Sequence, residues 1–261
     1  MESLRAALMR LRPPNETTSG ERANIPADGV CTTCGRLLLE HPGVRRVLDE
    51  RGMDQVPGCR CAEEERARAE RRRLFANLPH AGADQVPRTL DNFRVRRGAE
   101  EGLEAARSFV AGDGARALTL VGGPGSGKSH LLEAIGRECL ARGVRVKYEL
   151  VADLLDRLKA TFGEDAVLEF DQVAAQYMFA QVLLLDDMGM EKSTDWAMER
   201  LTSLVDFRIR EGKPLVVTTN LTDVQMRQKM GPRLASRLYD AHTGAVRVVW
   251  MTAEDYRLKG G

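Results

Sequence analysis

The stretch GGPGSGKS, residues 122–129, decides how the rest of the chain is read. It fits the spacing G-x-x-x-x-G-K-[ST] at Gly122, Gly127, Lys128 and Ser129, with Gly123, Pro124, Gly125 and Ser126 forming the turn between them. An apolar run, ALTLV at 117–121, precedes it. A helix-periodic stretch follows from Lys128 to Arg142, with Leu131, Leu132, Ile135 and Leu140 on one side. Strand, glycine-rich turn and helix form the context in which this spacing has a mechanism. The glycines let backbone N–H groups curl around the phosphates of a nucleoside triphosphate with no side chain in the way, and the helix directs its positive end at them. Lys128 would neutralise the β- and γ-phosphates of ATP, and the Ser129 hydroxyl would ligate Mg²⁺. A functionless glycine-rich turn is the plain alternative, and the flanking strand and helix weigh against it.

Working outward, VLLLDD at 182–187 reads as the partner of this loop. Four apolar residues form a buried strand, and two carboxylates emerge at its end, where open α/β sheets bind ligands. Asp186 would hold Mg²⁺, directly or through water, and Asp187 would orient or deprotonate an attacking water. VVTTN at 216–220 ends another apolar strand. Its Asn220 is either a turn former or an amide that places water near the γ-phosphate. GPRLASRLYD at 231–240 puts Arg233 and Arg237 four apart on one helix face. They are either surface arginines or carry an arginine finger, a cation that stabilises charge on a transferred phosphoryl group.

The remaining apolar runs extend the pattern. Strands are expected at 117–121, 144–148, 182–185, 215–219 and 245–250, with amphipathic helices between them. One of these helices, 195–211, turns Met198, Leu201, Val205 and Ile209 inward. Strands alternating with helices indicate an α/β fold, a five-stranded parallel sheet covered on both faces.

The first eighty residues differ. Residues 1–30 read as a flexible lead-in, 31–77 as a cysteine-bearing module ending in a charged helix, 78–88 as a linker with two prolines and a glycine, and 89–261 as the α/β domain. Four of the five cysteines fall between Cys31 and Cys61. Cys31-x-x-Cys34 and Cys59-x-Cys61 can each present two thiolates to one ion, and together they would close a tetrahedral zinc site. His41 is able to replace one of them. Unliganded thiols and an iron–sulfur cluster are the alternatives. Cys139 stands apart and reads as core.

The net charge of +1 makes no compositional case for nucleic acid. No apolar run approaches the roughly 20 residues that cross a bilayer. The first residues lack a secretory pattern, so a cytoplasmic, thiol-reducing location is expected. Among other residues, His130 reads as packing and His80 and His242 as surface residues without partners. Trp196 reads as core or interface. Arg71–Arg73 read as a solvated charge run. Arg145, Lys147 and Tyr148 are candidates to face a DNA channel.

The order GGPGSGKSH, VLLLDDMG, PLVVTTNL and RLASRL resembles the DnaC/DnaI-type helicase loaders and their relatives, the IstB-type transposition helpers. Both are AAA+ ATPases. The resemblance covers about residues 89 to 258, including TLDNF at 89–93 and the closing MTAEDYRLKG. It implies an AAA+ core without a large C-terminal lid. Asn220 takes the place of the sensor and Arg237 that of the finger, with Arg233 as the fallback. The family's finger acts on a neighbour's ATP, so self-association is implied. Many AAA+ enzymes carry Glu where this chain has Asp187. An N-terminal zinc module resembles the loaders more than the transposition helpers. The expected function is therefore an ATP-dependent loader that binds single-stranded DNA and a replicative helicase hexamer. The rivals are a transposase helper, a small-molecule kinase and a nucleotide-sensing adaptor with little turnover.

Overall fold

The run ALTLV is buried throughout and lies inside a sheet. As β1 (Ala117–Gly122) it pairs in parallel with β4 (Leu215–Thr219) on one side and with β5 (Val246–Met251) on the other. β3 (Val182–Met188) pairs with β4, and β2 (Val146–Leu150) pairs with β3, both parallel. The order β2-β3-β4-β1-β5 makes the five-stranded parallel sheet that the alternating pattern predicts. The computed structural model describes residues 75, 78–80, 86–161, 170–189 and 194–256. The expected zinc ligands Cys31, Cys34, Cys59 and Cys61, with His41 and Arg71–Arg73, lie outside the described residues.

Parallel neighbours need crossovers, and helices supply them. In chain order these are α1 (Glu100–Ala111), α2 (Lys128–Ala141), α3 (Val151–Lys159), α4 (Phe170–Met178), α5 (Asp195–Arg210), α6 (Asp223–Met230) and α7 (Pro232–Tyr239). Two-residue strand periodicity sorts the core into two layers. Leu183, Leu185, Leu215 and Val217 pack with α3 to α7. Val182, Leu184, Val216, Leu118 and Leu120 pack with α1 and α2. Each such leucine or valine removed from water contributes about 1.5–3 kcal/mol.

Local chemistry sets the ends of the last helices. Thr222 and Gln225 form a reciprocal capping box at the start of α6. Gly231, at φ +92°, then lets the chain restart as α7 with Pro232 in its first turn, where a missing N–H costs nothing. That restart presents Arg233 and Arg237 on one face.

Three findings differ from expectation. His80 has a partner: its Nδ1 lies 2.9 Å from Oε2 of Glu133, a fully buried carboxylate on α2. Residues 78–80, read as part of a linker, also pack on α2. Leu78 is buried beside Gly136, and Arg137 donates to the carbonyls of Pro79 and His80. Finally, β2 begins at Val146 and reaches Leu150, two residues later than its apolar run suggests, and its pairing with β3 places Leu150 opposite Asp186.

Candidate functional site

The glycine-rich loop has the shape its sequence requires. Gly125 and Gly127 take φ +68° and +100°. A Cβ on Gly125 would meet the Asp255 carboxylate at 1.8 Å, and one on Gly127 would meet the Phe93 ring at 2.8 Å. Substitution at either position is therefore excluded by backbone angle and by space together. No side chain caps the N-terminus of α2, so its first N–H groups face the loop without a carboxylate competing for them. Lys128 is buried, and its ammonium donates to the carbonyls of Gly122 and Gly123 at 2.8 Å each and to Ser126 Oγ at 3.4 Å. A cation held over the mouth of an N–H-lined loop suits a polyanion.

Asp186 sits beside this loop because β3 and β1 both end at the same edge, with β4 between them. It is buried, and four donors hold it. Oδ1 accepts from Ser129 Oγ at 3.0 Å, Thr218 Oγ1 at 2.5 Å and the Asp187 N–H at 3.1 Å, while Oδ2 accepts from Tyr148 Oη at 2.7 Å. The β3–β4 register shifts between Leu185 and Met188. In a regular strand, consecutive residues point to opposite faces. This bulge, together with φ +57° at Asp187, re-aims the second aspartate so that both serve one site. Thr218 Oγ1 also accepts from the Asp187 N–H, at 2.9 Å, which holds the kink in place.

Asp187 is exposed, and Asn220 Nδ2 donates to its Oδ1 at 3.3 Å. Partial burial raises the Asp187 pKa above the ordinary carboxylate value. The neighbouring Asp186 adds to that, and Lys128 acts against it. The Tyr148 hydroxyl is pushed well above its usual range by burial and by the adjacent Asp186, so it remains a proton donor. Burial lowers the His130 pKa. Its Nε2 lies 2.9 Å from the Thr89 carbonyl, and its ring meets Phe93 edge-on. This ties the TLDNF segment to the helix behind the loop.

Pro124 to Ser129, Asp186, Asp187 and Asn220 line one pocket of about 770 Å³, together with residues that include Pro87, Phe93 and Tyr256. The pocket gathers residues predicted from three separate motifs. It does not include Arg233 or Arg237, which lie on α7 and pair with Asp206 of α5. Sequence reasoning missed Thr218 and the contact of Tyr148, whose hydroxyl donates to Asp186. Asp206 was also missed. The signal for Thr218 was present in the TT of VVTTN, two hydroxyls in an otherwise apolar buried strand.

Ser129 and Asp186 offer hard oxygen donors at 3.0 Å from each other. Few protein oxygens suffice for Mg²⁺, which keeps several waters and takes phosphate oxygens as further ligands. The pair therefore fits that ion. Among the described residues, no group of three or more His, Cys, Asp or Glu side chains gathers as a further metal site. No described helix is long and apolar enough to cross a membrane.

Comparison with known proteins agrees with this geometry. The family model described as IstB-like ATP binding protein matches residues 55–260. The replicative helicase loader DnaC of Escherichia coli K12 is 30% identical over 153 residues, 58% of this chain and 62% of the relative. The match thus spans about three-fifths of that relative's length. Among solved structures, the DnaC helicase loader aligns with a TM-score of 0.54 at 24% identity, over 63% of this chain and 97% of that one. AMPPCP-bound DnaA from Aquifex aeolicus aligns with a TM-score of 0.54 at 22% identity, over 68% and 54%. At these identities the structural likeness speaks for the fold.

Proposed function

The chain belongs to the IstB-like ATP-binding protein family, and from that premise we propose that it is a cytoplasmic ATP-dependent loader that delivers a hexameric replicative helicase to single-stranded DNA. The observation that carries the nucleotide part is the junction of Lys128, Ser129, Asp186, Asp187 and Asn220 at one pocket. The similarity to DnaC favours a helicase over a transposase as the partner.

In this reading the N–H groups of Gly125 to Ser129 cradle the triphosphate and Lys128 moves its ammonium from loop carbonyls to phosphate oxygens. Ser129 and Asp186 would hold Mg²⁺, which would supply positive charge to the triphosphate. Asp187 accepts the proton of the attacking water, and Asn220, hydrogen-bonded to Asp187, orients that water. Arg237, with Arg233 as the alternative, acts on the ATP of a neighbouring copy, so the loader self-associates. Cys31, Cys34, Cys59 and Cys61 hold a structural zinc ion, and the module they build grips the helicase.

The test is co-elution of the full-length protein with the replicative helicase hexamer of the same source, with and without ATP, beside the Lys128→Ala variant. Nucleotide-dependent co-elution that the variant loses supports the loader. Failure to bind the helicase in any nucleotide state overturns it and makes a transposase the next partner to try.

A further inference from the structure

Tyr148 lies on β2, an edge strand that contributes no residue to any of the nucleotide motifs. Its register partner on β3 is Leu184, and that of Leu150 is Asp186. Side chains two apart share a face, so Tyr148 and Asp186 project on the same side of the sheet, one pleat repeat of about 6.6 Å apart along the strands. The Tyr148 ring packs against the buried cluster that includes Leu131, Leu132 and Leu184. Its hydroxyl spans the remaining distance and donates to Asp186 Oδ2 at 2.7 Å.

The two oxygens of Asp186 are held unequally. Oδ1 carries Ser129, Thr218 and the Asp187 N–H, while Tyr148 is the hydrogen-bond donor to Oδ2. An aspartate's terminal torsion is broad and roughly two-fold, so anchoring one oxygen does not fix the carboxylate plane. The second oxygen needs a donor of its own. A hydroxyl bound to an ionised carboxylate makes one of the stronger hydrogen bonds available. Since a carboxylate oxygen has two lone pairs, Oδ2 keeps one after accepting from Tyr148.

We propose that Tyr148 is a positioning residue for Mg²⁺ binding: its hydroxyl locks the plane of the Asp186 carboxylate so that the metal-holding face is formed before the ion arrives. The inference rests on the nucleotide reading above and adds to it a residue from outside the motifs. Partners of this kind, one step behind the ligand, commonly change metal affinity 10- to 100-fold when removed.

The experiment measures binding of a fluorescent ATP analogue to the full-length chain across a Mg²⁺ titration and again in EDTA. It compares the wild type, Tyr148→Phe and Asp186→Asn. The phenylalanine keeps the ring in its packing and removes the hydroxyl. The expected result is a Mg²⁺ midpoint raised on the order of 10-fold in Tyr148→Phe, with the EDTA affinity equal to that of the wild type. An unchanged midpoint overturns the proposal. Equal losses with and without Mg²⁺ also overturn it, because they assign Tyr148 to packing alone. A wild type that binds no nucleotide, or binds it with no response to Mg²⁺ and no change in Asp186→Asn, overturns the nucleotide reading and this inference with it.

Discussion

Arg237 Nε lies 2.6 Å from Asp206 Oδ1, and the same carboxylate receives Arg233 Nη2 at 3.1 Å on its other oxygen. Asp206 is buried on α5, while both arginines are largely exposed on α7. One fixed anion thus holds two cations at the surface, away from the pocket of their own chain.

If Arg237 acts on a neighbour's nucleotide, Arg237→Ala and Lys128→Ala will each abolish turnover, the former by on the order of 10³-fold. Mixing the two inactive proteins will restore a share of the activity, since one supplies an intact finger and the other an intact pocket. Steady-state ATPase assays of the mixture read this directly, and a mixture no more active than its parts rules out action between copies. Asp206→Asn will lower turnover while leaving ATP affinity unchanged.

The proposed mechanism gives Asp187 water activation rather than nucleotide binding. Asp187→Asn keeps the hydrogen-bonding shape but removes the base, so kcat will fall roughly 10²- to 10⁴-fold with little change in the dissociation constant for ATP. Equal kcat in variant and wild type would remove Asp187 from the chemistry.

Arg208 is fully buried and, among the described residues, pairs with no carboxylate. Its guanidinium instead donates to the carbonyls of Tyr177, Met178 and Ala180, at and just past the end of α4, and to that of Pro214 before β4. A helix end leaves its last carbonyls open, and here a cation closes them. Burial lowers the Arg208 pKa to about 10, still charged at neutral pH. Arg208→Met will strand these acceptors and destabilise the fold by on the order of 3 kcal/mol, read as a lower urea midpoint at unchanged slope.

Cys139 on α2 is buried, and burial pushes its thiol up to about 12. The folded state therefore favours the neutral thiol over the reactive thiolate. Any stability this supplies is complete below the unfolded cysteine value and declines as pH rises from there towards 12. At pH 8 iodoacetamide will leave the Cys139 peptide unmodified in the native protein and alkylate it in urea, as mass spectrometry of the peptides will show. Rapid native labelling at Cys139 would contradict its burial.

The phosphate loop was legible because its geometry is local. Gly125 and Gly127 need positive φ, and Lys128 and Ser129 follow within a few residues on one helix start. The same holds for VLLLDD and VVTTN, where an apolar strand places its terminal polar residues at the sheet's ligand-binding edge. With strand–helix alternation, these runs determine a parallel sheet and the neighbourhood of Asp186, Asp187 and Asn220. The helix periodicity that sorted Leu131, Leu132 and Ile135 to one face is likewise a property of consecutive residues, and all three are buried.

What holds those residues in their working positions depends on contacts between segments far apart in the chain. Tyr148 meets Asp186 across 38 positions, Thr218 meets it across 32, and His80 meets Glu133 across 53. The first two follow from sheet order and register and the third from the packing of residues 78–80 on α2, none of which is encoded in the spacing of neighbouring residues. A tyrosine on a half-polar edge strand reads equally well as surface, core or channel lining. Its role was decided when β2 came to lie beside β3 in the register that places Tyr148 one pleat below a buried carboxylate. Local spacing sets which backbone shapes are allowed, whereas the partner of a buried polar group is whichever donor the packing brings within about 3 Å.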